Sequence, residues 1–201
     1  MNVYDQVVTW IPARSRVLDL GTGDGKFLAR LVREKRVNGV GVEREPGLVA
    51  SCIEKGLVVH QGDIMDGLDQ YGVASFDYVL LLGTFQEIGT PLELLREAFR
   101  VGKRVIIAYT NFAHIGSRLQ IMMLGRSPIT RALPHKWYTS PNLHYFSIED
   151  FEQFCERFDL KQIDVAYFNS TGRVRLFPNL LAEQAISMLE SSGTFAIKPV
   201  P

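Results

Sequence analysis

Cysteine is scarce: Cys52 and Cys155 are the only two thiols in 201 residues, and they stand far apart. Two cannot build a disulfide framework, and both sit in apolar, helix-like surroundings, as reduced, packed thiols of a cytoplasmic protein would. No Cys or His spacing matches a metal site, so no metal is expected. An excess of one charge is missing too, with 22 basic residues against 22 acidic ones. Nucleic acids and anionic membrane surfaces select clustered Lys and Arg, so neither is an expected partner. No apolar run approaches the length of a membrane span, and Met1 to Trp10 mix polar and apolar side chains unlike a targeting segment. Internal repeats and low-complexity linkers are absent, which leaves one domain, residues 1–201, as the expectation.

What is present is a core-forming composition, 46% apolar and 22% charged, arranged as β-rich runs alternating with amphipathic stretches. Val3, Val7, Val8 and Ile11 recur at helical spacing before Pro12. Arg16–Leu20, Gly39–Glu43, Leu57–His60, Phe76–Leu82 and Arg104–Tyr109 read as five strands. Helices are expected between them at Phe27–Val32, Pro46–Glu54 and Pro91–Arg100. Parallel neighbours need crossovers, so this alternation predicts an α/β fold with a mostly parallel sheet and helices on both faces. From Thr110 to Phe146 no clean period is legible, and Gly, Pro, Arg, His and aromatic residues dominate an insert after the fifth strand. A helix follows from Ser147, then strands at Leu160–Phe168 and Gly172–Phe177 as a hairpin, which brings the expected sheet to seven strands. Leu180–Leu189 reads as a closing helix.

The central motif is Val17-Leu18-Asp19-Leu20-Gly21-Thr22-Gly23-Asp24-Gly25, a strand, a glycine turn and a helix. A dinucleotide fingerprint needs a third glycine five positions after the first; Lys26 stands there, and Asp19 and Asp24 flank the turn. Carboxylates repel a pyrophosphate but suit a ligand carrying an ammonium and a sulfonium. S-adenosylmethionine is that ligand, with its demethylated product S-adenosylhomocysteine, which keeps the ammonium, as the alternative occupant. Glu43 ends the second strand, where it could accept from both ribose hydroxyls, with Arg44 beside it. Asp63 follows the third strand, either accepting from an adenine amino group or capping a helix, with Ile64 next to it. Leu82 and Gly83 end the fourth strand and would line the opposite wall.

The Asp-Leu-Gly-x-Gly-x-Gly turn, Glu43 and the Gly62-Asp63 pair together resemble the class I methyltransferase superfamily, which implies its Rossmann-like fold. A narrower resemblance lies further along. Asn111-Phe112-Ala113-His114, Arg118-Leu119-Gln120, Gly125-Arg126, Pro128-Ile129-Thr130, Leu133-Pro134, Trp137-Tyr138 and Pro141-Asn142-Leu143-His144 are similar to the MetW family of methionine biosynthesis proteins. Cys52 to Leu57 and Asn179 to Glu183 match that family as well. Thr22, Ala113, Ile115 and Thr139 depart from its usual residues, as do Leu82 to Gln86 and Tyr109-Thr110. The resemblance implies a partner, homoserine O-acetyltransferase, and a cofactor-binding fold without an assured methyl-transfer activity.

No spacing singles out a general base. Glu87, His114, His135 and His144 are candidates, with Tyr109 as a donor, and no catalytic residue is assigned. The insert at about 110–146 suits either a lid over a substrate or a docking face. Its apolar run Leu119, Ile121, Met122, Met123, Leu124 must be covered by a partner or by the domain's own core. Two readings therefore stand: a cofactor-binding partner of the acyltransferase, or an active small-molecule methyltransferase. A nucleic-acid or protein methyltransferase is disfavoured, because Gly83-Thr84-Phe85-Gln86 replaces the Asn/Asp-Pro-Pro-Tyr/Phe signature of such enzymes.

Overall fold

A computed structural model of the protein describes residues 2–191. Five strands, β1 (Arg16–Leu20), β2 (Asn38–Glu43), β3 (Val58–Gln61), β4 (Phe76–Leu82) and β5 (Gly102–Thr110), alternate with helices. The helices are α1 (Val3–Trp10), α2 (Lys26–Lys35), α3 (Pro46–Glu54), α4 (Ile64–Asp69) and α5 (Pro91–Val101). Beyond β5 come α6 (Ile115–Leu124), α7 (Ile148–Arg157), β6 (Leu160–Asn169), β7 (Gly172–Val174), α8 (Pro178–Leu181) and β8 (Gln184–Ser191). The sheet order is β3-β2-β1-β4-β5-β8-β6-β7. The first five strands are parallel; β8 runs antiparallel between β5 and β6, and β7 pairs antiparallel with β6 at the edge.

Local chemistry sets the helix starts. Asn2 and Asp5 form a capping box at α1, and Ser147 and Asp150 form another at α7. Pro46 and Pro91 occupy first helical turns, where a missing N–H costs nothing. Side chains alternate across the sheet, so each strand feeds two cores. Leu18, Leu20, Val79, Leu81, Val105 and Ile107 face α5 and α7, while Val17, Tyr78, Leu80 and Ile106 face α1 and α2. Fully buried strands of this kind are apolar on both faces.

Three expectations need correction. The closing helix at Leu180–Leu189 is instead the short α8 followed by β8, which makes the sheet eight-stranded rather than seven-stranded. The reason lies in packing: Ala185 and Leu189 enter one core while Ile186 and Met188 enter the other. A strand buried on both faces leaves no polar alternation to read, and its Ala, Met, Leu and Glu residues mimic a helix former. The insert is likewise not irregular throughout, since it opens with α6, on which only Ser117 is buried. The hairpin strand also stops at Val174 rather than Phe177, because Phe177 turns into α8 with φ of 48°.

Candidate functional site

At the carboxyl end of β1 the chain turns through Gly21, Gly23 and Gly25, whose φ angles are 79°, 60° and 74°. This left-handed region is cheap only for glycine. Close approach adds a second requirement at Gly25, where a methyl group would lie 2.8 Å from the Cys52 sulfur and 2.6 Å from Leu57. Gly23 faces open space instead. Gly25 therefore packs beneath the hinge and lines neither cavity beside it, whereas Gly21 and Gly23 border the crevice. The Cys52 thiol donates to the Gly23 carbonyl at 3.3 Å and is fully buried, so it holds the loop from below.

Charge is distributed unevenly around this hinge. Asp19 is 4% exposed, and its carboxylate accepts the Thr22 hydroxyl at 2.8 Å. It has no ion pair among the described residues. Burial pushes its pKa up from 3.8 to about 6; Glu43 adds to the rise and the Thr22 hydroxyl opposes it. Asp24 differs: Lys26 pairs with it at 2.6 Å and holds its carboxyl below the ordinary value. The expected repulsion of phosphate thus falls to Asp19 and Glu43, not to Asp24. Glu43 receives the Gly23 N–H at 2.9 Å on one oxygen and those of Arg44 and Glu45 at 2.8 and 2.9 Å on the other. One oxygen is thereby filled, leaving the Gly23-bound oxygen with capacity for one further donor.

Two cavities flank the hinge. One, of about 410 Å³, is lined by Gly21, Glu43, Arg44, Asp63, Ile64, Leu82 and Gly83. The other, of about 460 Å³, is lined by Asp19, Gly21, Thr22, Gly23, Asp24 and Leu82. Apart from Gly25, every residue expected to contact a cofactor borders one of them. Asp63 is the α4 N-cap, accepting the Met65 N–H at 3.0 Å, so the capping role weighed from sequence is present. Sequence reasoning missed Asn2, Tyr4, Lys26, Phe27 and Arg30 as site residues, which complete the second cavity. Tyr4 packs on Phe27 with ring centroids 5.0 Å apart, and the only hint of its place was its position beside core-facing Val3.

A third cavity, of about 360 Å³, opens between the ends of β4 and β5 and the insert. Leu82 lines all three. Glu87, Tyr109 and His135 border this third space, and burial raises the Glu87 pKa. The other candidate bases are engaged structurally: His114 caps α6 by accepting the Gly116 N–H at 3.1 Å, and the His144 ring donates to the Ile88 carbonyl at 2.9 Å. Tyr109 is 2% exposed. Buried Gln86 accepts the Thr110 N–H at 2.8 Å and donates to the carbonyls of Thr110 and His144, tying the 3-10 turn Thr84–Glu87 to both ends of the insert.

The family model described as "Methionine biosynthesis protein MetW" matches residues 2–189 of this chain. The chain belongs to the MetW family. The "Bifunctional methionine biosynthesis protein MetXA/MetW" of Rhodopirellula baltica is 31% identical over 202 residues, covering 92% of this chain. This chain spans 32% of that protein's length, so the match is to one part of a larger molecule. Among solved structures, an S-adenosylmethionine-dependent methyltransferase of Thermotoga maritima, described as a possible histamine N-methyltransferase, aligns at a TM-score of 0.66 and 16% identity. That alignment covers 94% of this chain and 88% of the other. One from Archaeoglobus fulgidus aligns at 0.67 and 15%, covering 94% and 93%. The cyclase SpnF aligns equally well, at 0.67 and 15%, covering 94% and 80%. This MetW chain therefore has the class I methyltransferase fold, an architecture shared by proteins named for different chemistries. No helix among its described residues is long and apolar enough to cross a membrane.

Proposed function

We propose that this MetW chain binds S-adenosylmethionine or S-adenosylhomocysteine where β1, β2 and β4 end, and acts with homoserine O-acetyltransferase in methionine biosynthesis. Asp19 carries the reading: a buried carboxylate with no ion pair among the described residues, beside a glycine hinge, is matched by a ligand that brings its own positive charge. The residues present fit such a group. Glu43 keeps one acceptor position for a ribose hydroxyl, Asp63 and Ile64 border the space for a base, and Arg30 and Lys26, already paired with Asp5 and Asp24, border the second cavity. Thr22, Gly21, Gly23 and Asp24 form the floor, and Arg44, Leu82 and Gly83 the walls. When bound, S-adenosylmethionine supplies an electrophilic methyl group, and S-adenosylhomocysteine supplies none.

The partnership is supported by the relative in which parts named MetXA and MetW share one chain. We read the protein as one domain whose insert at about 110–146 serves that partnership. Isothermal calorimetry with each nucleoside tests the crevice; no heat from either would overturn that assignment. Size-exclusion chromatography with purified homoserine O-acetyltransferase tests the partnership, for which a joint peak is expected.

One observation favours a second reading, an active small-molecule methyltransferase: the third cavity adjoins the other two at Leu82 and holds Glu87. Transfer of labelled methyl to a small acceptor, with no acyltransferase bound, would select that reading over the first.

A further inference from the structure

We propose that the outer face of the insert, centred on α6, is the surface on which the acyltransferase docks, and that its counterpart is an apolar patch rimmed with carboxylates. This rests on the partnership proposed above and names its contact surface. On α6, Met122 and Met123 are 72% and 73% exposed, and Leu124 is 63% exposed. Trp137 and Tyr138 follow at 74% and 62%. Apolar side chains gathered this densely on one segment mark a binding surface, and Met, Trp and Tyr are the types enriched at protein interfaces. Leu119, Met122 and Met123 share one helical face by their spacing.

The surface is held in shape before anything binds. Gln120 is bonded to Ile129 through both ends of its side-chain amide, at 2.9 and 3.0 Å. Thr130 and Leu133 close the following turn, and Leu133 is buried. A face locked by such bonds loses little conformational entropy on association.

Charge identifies the occupant. Residues 110–146 contain no Asp or Glu but carry Arg118, Arg126, Arg131 and Lys136, all of them exposed. The whole chain is balanced at 22 against 22, so the remainder is left with 18 basic residues against 22 acidic. A second copy docking through the same face would set four cations against four, which disfavours a symmetric dimer here. An acidic rim on a different protein satisfies them.

The test uses purified full-length protein and homoserine O-acetyltransferase of the same organism, with affinity measured by calorimetry at two salt concentrations. M122E/M123E should weaken binding by about tenfold or more. The reversal R126E/R131E should weaken binding most at the lower salt concentration and flatten its salt dependence. S-adenosylhomocysteine binding and the circular dichroism of both variants should match the parent, since neither pair touches the crevice or the core. If the parent does not bind the acyltransferase, the partnership and this surface fall together. If the parent binds and both variants bind equally well, the surface alone is wrong. Two further results would also overturn it: a dimer of the parent alone that M122E/M123E dissolves, or sedimentation with phosphatidylglycerol vesicles that M122E/M123E abolishes in place of acyltransferase binding.

Discussion

The carboxylate of Glu43 accepts the Gly23 N–H at 2.9 Å, joining the end of β2 to the middle of the glycine hinge. A single side chain thus fixes the loop and presents an oxygen to the crevice, so shaping the hinge and meeting the ligand are one task. Glu43→Ala would remove the acceptor of three backbone N–H groups together with any ribose contact. We expect S-adenosylhomocysteine affinity to fall by roughly 1.5–3 kcal/mol, the range for a charged hydrogen bond. Faster amide exchange at Gly23, Arg44 and Glu45 should accompany it. Unchanged calorimetric affinity would remove Glu43 from the site.

Neighbouring glycines of the same hinge should respond differently to a methyl group. Gly25→Ala meets both a left-handed φ and the Cys52 and Leu57 side chains, whereas Gly23→Ala meets only the φ penalty. Backbone strain alone costs about 1–2 kcal/mol. Urea denaturation should therefore show Gly25→Ala to be the more destabilising by at least about 1 kcal/mol. Adding Cys52→Ala should return part of that difference. Equal midpoints for the two glycine variants would mean that Gly25 is not packed as described.

How far the sequence foretold this site follows from what each element packs against. The bounds of β1, α3 and β4 agree with expectation because glycine, proline and apolar runs punctuate them locally. Nearly all of the crevice residues lie at strand ends, where fold logic alone places ligands. β8 was not legible, since its burial on both faces arises from β5 and β6, which are distant in sequence. α6 escaped notice for the opposite reason: with only Ser117 buried it has no core face and so no amphipathic period. Asn2, Tyr4 and Arg30 enter the crevice only because α1 and α2 lie side by side, with Arg30 paired to Asp5 at 2.9 Å.

Gln86 should matter for the insert more than for the cofactor. It is 2% exposed, and its amide serves Thr110 and His144. Gln86→Ala leaves a buried N–H and two carbonyls without their partner, a cost on the order of 3 kcal/mol. Limited proteolysis should then cut within residues 110–146 under conditions where the parent resists. An intact insert in the variant would show that this amide does not anchor it.

Asp19 gives the pH dependence its sign. Its carboxyl pKa rises from 3.8 to about 6 on folding, so the native state holds the proton more tightly than the unfolded chain. Below about pH 4 the group is neutral in both states and costs nothing. Between about 4 and 6 the cost grows, and above 6 ionisation destabilises the ligand-free protein by up to roughly 3 kcal/mol. Asp19→Asn should therefore raise the ligand-free melting temperature at pH 7.5 and leave it nearly unchanged at pH 4. A cationic ligand favours the ionised form, so parent affinity for S-adenosylmethionine should climb from pH 5 to pH 7.5 while the variant's profile stays flat. If the variant melts no higher than the parent at pH 7.5 and the two affinity profiles run parallel, Asp19 neither bears this burden nor meets the ligand's charge.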